Sequence, residues 1–169
     1  MPTTNTICHE PLPGTNFRVL ELAGFSVAIA GWDAAEEAGG FDLHRPNSVL
    51  SMRGKLPDWV RDGPDRVPGI AVQMVDGELP NPMLYSIGCS WLSYMVRHGG
   101  PGPVMVCCWM GQSRSVAMVT TWLSLETGME FRESLALVEH VYPEANVHEE
   151  LVRGGILFLE ADADLCMLD

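Results

Sequence analysis

Residues 104–123 read VMVCCWMGQSRSVAMVTTWL. An apolar run, VMVC (104–107), has the length and composition of a buried strand and delivers Cys108. A short turn containing Gly111 follows, and Arg114-Ser115 then opens an apolar stretch expected to be helical to about residue 126. Cysteine and arginine are therefore spaced C-x5-R between a strand and a helix. That arrangement has a specific physical consequence. A strand-to-helix turn can aim successive backbone N–H groups into one concavity, and the helix behind it adds its positive N-terminal end. A cysteine at the base of such a nest sees a positive potential that favours the thiolate. The same nest fits a phosphoryl group. The Arg114 guanidinium can offer two parallel N–H donors to phosphoryl oxygens. Gly111 allows a backbone conformation that a side chain would block. Ser115 can donate to the sulfur.

Working outward, FSVAIA (25–30) reads as a strand, followed by Gly31 and a short helix over 33–38 with Asp33 as its N-cap. NSVLSM (47–52) reads as a second strand, and 53–68, rich in Pro, Gly and charge, as loop. GIAVQMV (69–75) is a third strand, closed by Asp76-Gly77. Residues 83–98 have helical periodicity and end at Gly99-Gly100-Pro101. Further helices are expected over 131–141, stopped by Pro143, and over 147–159, where Gly154-Gly155 weakens the propensity. Strands alternate with helices, which places the chain in the α/β class.

Composition narrows the function. The chain has 169 residues and a globular share of apolar side chains. The early apolar run over 19–30 is too short for a membrane span, and residues 1–14 lack the basic start and apolar core of a secretory leader. The net charge of −12 disfavours nucleic acid and anionic membrane partners. A phosphate site must then be built locally. The five cysteines include no C-x-x-C pair, so no disulfide framework is expected. The histidines are scattered and Cys107 and Cys108 are adjacent, so no metal or other cofactor is expected.

The segment around Cys108 resembles the signature H-C-x-x-G-x-x-R-S of the dual-specificity phosphatases, a branch of the cysteine-dependent protein tyrosine phosphatases. FSVAIAGWDAAEEAGGFDLHRPNSVLSM (25–52) resembles that family's opening strand, Asp/Ala-rich helix and second strand. FRESLALVEHVYP (131–143) resembles the helix after its signature. The resemblance spans about residues 20–160. It implies a three-layer fold with a mostly parallel central sheet flanked by helices, a catalytic domain over 19–162, a flexible arm over 1–18 and a tail over 163–169. It implies Cys108 as nucleophile, Arg114 as phosphate clamp and Ser115 as the thiolate's hydrogen-bond donor. The phosphate-binding loop is then Cys108, Trp109, Met110, Gly111, Gln112, Ser113 and Arg114.

The family carries its general acid on a loop before the signature strand, where Asp76 stands; Asp58 and Glu78 are rivals. Cys107 replaces the family's His and reads as a small buried strand residue; a bridge to Cys108 is the second reading. The implied partners are phosphorylated proteins or peptides, on phosphotyrosine and phosphoserine or phosphothreonine, together with phosphate, sulfate or vanadate. A monomeric cytoplasmic enzyme is expected. A small phosphorylated metabolite, a non-catalytic phosphate-binding module and a rhodanese-like sulfur transferase are the alternative readings.

Overall fold

The central sheet of the computed structural model carries its strands in the order β1-β2-β3-β6-β4-β5: β1 Ile7–Cys8, β2 Phe17–Leu22, β3 Phe25–Ala30, β4 Ser48–Ser51, β5 Gly69–Ala71 and β6 Val104–Cys107. The structure describes residues 7–8, 16–41, 44–62 and 67–166. β1, β2 and β3 pair antiparallel, while β3, β6, β4 and β5 are parallel. The helices are α1 Trp32–Glu37, α2 Asp58–Asp62, α3 Pro82–His98, α4 Arg114–Thr127, α5 Phe131–Val141 and α6 Glu149–Cys166, with a 3₁₀ turn over Ala38–Gly40 after α1.

Strand alternation divides the core between the two faces of the sheet. Val27, Ile29, Val104, Val106 and Cys108 join the larger cluster, with Trp122, Tyr85, Leu92, Val138 and Leu151 from α3 to α6. Ala28, Ala30, Met105 and Cys107 join the smaller cluster, with Ala34, Ala35 and Val60 from α1 and α2. This is the expected three-layer architecture. Helix α4 lies against the sheet with residues 115–124 all buried, which explains why its sequence is apolar almost all round. In register, Ala30 and Ser51 both face Cys107. The carboxyl ends of three parallel strands thus align, and the chain leaves β6 with Cys108 at the edge where α/β sheets bind ligands.

Several sequence expectations shift. β2 lies where no strand was expected, and it forms a hairpin with β3 through Ala23 (φ 52°) and Gly24 (φ 81°). Within the expected arm, Ile7–Cys8 pair with Leu20 and Glu21, and β2 begins at Phe17, before the expected domain boundary; most of the arm lies outside the described residues. The expected loop over 53–68 contains α2. β5 ends at Ala71, after which bonds from Val72 N to Ser51 O and Met74 N to Met52 O carry the chain forward. The cap of α1 is Gly31, with Asp33 in the first turn. Helix α6 continues into the expected tail, to Cys166, through Gly154 and Gly155 without a break. A Cβ at Gly155 would stand 2.5 Å from the Phe131 ring, and one at Gly154 2.8 Å from Pro80. Those glycines are there for close packing.

Burial also sets a pH limit on stability. It pushes the Cys107 thiol up from 9.0 to about 12, and it raises the Tyr85 and Tyr142 phenols and the Cys89 thiol as well. The folded chain holds these protons while the unfolded chain releases them from roughly pH 9 upward. The associated stability is complete below that pH and is lost as pH rises toward the folded values. The thermal midpoint is therefore expected to fall steadily between pH 8 and pH 11. A midpoint that stays flat across this range contradicts the burial of these four groups.

Candidate active site

Cys108 is 2% exposed, and its N–H donates to Ala30 O at 3.3 Å. Its Sγ accepts the Gly111 N–H at 3.2 Å and lies 3.2 Å from Ser115 Oγ in the first turn of α4. The loop from Cys108 to Arg114 is held from outside by its oxygens. Trp109 O accepts the Trp32 N–H at 2.9 Å, and Met110 O accepts the Asn16 side-chain amide. Gln112 O accepts the Asn146 N–H at 2.8 Å, and Ser113 Oγ accepts the His148 N–H at 3.2 Å. The N–H groups of Trp109, Met110, Gln112 and Ser113 find no acceptor among the described residues. Tethered carbonyls and amides without an acceptor, ahead of a helix N-terminus, are features that an anion nest requires.

Gly111 is required twice over. Its φ is +74°, and a Cβ would stand 2.7 Å from Gly31 N and 2.8 Å from Ala30 C. Both obstacles are backbone and cannot rotate away. Gly111→Ala is expected to cost roughly 2 kcal/mol or more of stability and to weaken phosphate binding. Urea unfolding read beside phosphate titration checks this; an unchanged midpoint would show that the loop relaxes freely.

Arg114 lies across from the strand ends. Its Nη1 donates to Met74 O at 3.1 Å, and its Nε lies 3.0 Å from Asp76 Oδ2 in an ion pair not aligned as a hydrogen bond. Asp76 is about one-third exposed and stands at a tight turn with Gly77 at φ +80°. Of the three acids singled out in the sequence, Asp76 is the one in contact with Arg114. Asp58 pairs with Arg61 on α2, and Glu78 is exposed.

Cys107 points to the opposite face of the sheet from Cys108, beside its register partner Ser51. Both thiols are free, and no bridge joins them. Cys107 is the small buried strand residue of the first reading. Among the described residues, no group of three or more His, Cys, Asp or Glu side chains gathers as a metal site. A concavity of about 610 Å³ lies elsewhere, between the α4–α5 turn and α6, and contains none of these residues.

Sequence reading missed the loop's outer supports, Asn16, Asn146 and His148. Each lies far along the chain from residues 108–114 and carries no local signal. It also missed Arg53, whose guanidinium lies 4.0 Å from the Trp109 ring.

Solved structures with the same arrangement of elements include phosphatase domains. The Yvh1 phosphatase domain from Chaetomium thermophilum is similar with a TM-score of 0.70 and 18% identity, over 81% of this chain and 92% of that one. Human DUSP28 is similar with a TM-score of 0.70 and 18% identity, over 90% and 98%. The chain has the fold of the dual-specificity phosphatases. A mouse putative dual specificity phosphatase complexed with zinc tungstate shares this phosphatase fold with a TM-score of 0.70 and 19% identity, over 92% and 95%. No family model matches the chain, and no curated protein matches it in sequence. Among the described residues of this phosphatase fold, no helix is long and apolar enough to cross a membrane.

Proposed function

We propose that the chain hydrolyses phosphate monoesters through a phosphocysteine intermediate, on phosphotyrosine and phosphoserine or phosphothreonine of proteins. The observation that carries this is the sulfur of Cys108, 3.2 Å from both the Gly111 N–H and the Ser115 hydroxyl, at the base of a loop closed by Arg114. The fold adds support, as does the tungstate complex of the mouse relative, since tungstate is a tetrahedral oxyanion like phosphate.

The proposed reaction has two steps. In the first, the Cys108 thiolate forms an S–P bond as the P–O bond to the leaving group breaks, and Asp76 gives its proton to the departing oxygen. Free loop amides and the Arg114 guanidinium receive the charge that spreads over the equatorial oxygens. In the second, water attacks phosphorus and passes a proton to Asp76. The S–P bond breaks, and Ser115 donates to the departing thiolate. Neither step calls on a metal ion.

The test is hydrolysis of para-nitrophenyl phosphate under reducing conditions with EDTA. Turnover that persists in EDTA and is blocked by vanadate is expected. No turnover, with phosphate still bound, moves the reading to a non-catalytic phosphate-binding module. Cys107 in place of the family's His is the feature that favours that second reading.

A further inference from the structure

Beside the phosphate loop, cations lie against indole rings. The Arg53 guanidinium lies over two rings, Trp32 at 4.3 Å from the ring centroid and Trp109 at 4.0 Å. The Lys55 ammonium lies 4.6 Å from the Trp32 ring, and it is the only lysine in the chain. Gly54, at φ +74°, makes the turn between them. Trp109 is the residue after the nucleophile, and Arg53 also bridges to Gln73, three residues before Asp76. The pair thus lies between the phosphate loop and the segment that carries Asp76.

Charge pairing sets these two apart. Arg18, Arg61, Arg97, Arg114, Arg132 and Arg153 each meet a carboxylate. Among the described residues, no carboxylate lies within ion-pair distance of Arg53 or Lys55, and Arg53 Nη1 is buried without a hydrogen-bond acceptor. In a chain of net charge −12, two unmatched cations are unfilled anion-binding capacity. Contact with two rings restrains the Arg53 side chain, so less rotamer freedom remains to be lost on binding. Trp109 and Met110, each 55% exposed, supply an apolar shelf at the same rim.

Resting on the proposed phosphatase reading, we infer that Arg53 and Lys55 form a second anion subsite. It selects phosphopeptides with an acidic group next to the residue being dephosphorylated. The shared chemistry is a carboxylate or a second phosphoryl group on the same peptide. The long-range field repels anionic membranes, which favours a peptide over a lipid headgroup.

The test is peptide binding to Cys108→Ser protein at low and moderate salt. Three phosphotyrosine peptides of equal length carry alanine, glutamate or phosphothreonine beside the phosphotyrosine. One or both acidic peptides are expected to bind roughly fivefold tighter than the alanine peptide, with the gain shrinking as salt rises. Which of them gains identifies the anion. Arg53→Met and the exposed Lys55→Met should each reduce that ratio, and the double substitution should bring it to about one. A ratio near one with both cations present, or a ratio that survives the double substitution, overturns the subsite. So does tighter binding to phosphatidylcholine vesicles doped with a phosphatidylinositol phosphate than to any peptide. Binding of this pattern without turnover by the unsubstituted protein leaves the subsite standing and removes the hydrolase reading instead.

Discussion

Replacing Cys108 with serine is expected to lower turnover of para-nitrophenyl phosphate roughly 10⁴-fold or more, the scale seen when an enzyme loses its nucleophile. A serine hydroxyl in this position has no base placed to take its proton: the contacts of Cys108 Sγ are the Gly111 N–H and the Ser115 hydroxyl. The rest of the site stays in place. The loop is held by Trp32, Asn16, Asn146 and His148, none of which depends on the sulfur. Inorganic phosphate should therefore still bind, and bind more tightly if the nucleophile acts as the thiolate of the proposed mechanism, because a neutral hydroxyl then replaces a charge that repels the dianion at close range. That gain separates loss of chemistry from loss of structure. Phosphate affinity that disappears together with turnover would make Cys108 a structural residue. Turnover that survives would place the nucleophile elsewhere.

What the sequence disclosed depends on how local each feature is. The strand-loop-helix around Cys108 lies within twenty consecutive residues, and its strand, glycine turn and helix all appear where the pattern puts them. Strand β2 escaped because FRVLEL mixes Arg18 and Glu21 with apolar residues, and because its pairing depends on a turn with positive φ at Ala23, a residue that gives no such signal. Helix α2 escaped because five residues in a Pro- and Gly-rich stretch carry no periodicity. Tertiary contact forms it: the Trp59 indole donates to Ala35 O at 2.7 Å and fills the space where Gly39 lacks a side chain. Asp76 was legible as a position through the family resemblance, but its pairing with Arg114 is a long-range fact. The contact of Arg53 with Trp32 and Trp109 joins three elements distant in sequence, and no spacing rule reaches across them.

Asp76→Asn is expected to act on two quantities in opposite directions. As a general acid, Asp76 matters in proportion to how poorly the leaving oxygen departs unprotonated. An alkyl phosphate such as a phosphoserine peptide should lose roughly 10²- to 10³-fold in kcat. Para-nitrophenyl phosphate should lose far less in its first step, since para-nitrophenolate needs no proton to leave. As an anion, Asp76 also lies 3.0 Å from Arg114 Nε, where it competes with the substrate's phosphoryl oxygens for the guanidinium. The amide removes that negative charge, so phosphate affinity should rise and KM for para-nitrophenyl phosphate should fall. A lower kcat on the alkyl ester together with tighter binding of inorganic phosphate is the signature of both roles in one side chain. Equal losses on the two esters would remove the acid role and confine Asp76 to what both esters share, the proton taken from water in the second step or the positioning of Arg114. An unchanged rate on the alkyl ester would pass the acid's role to another group and leave the ion pair as the sole function of Asp76.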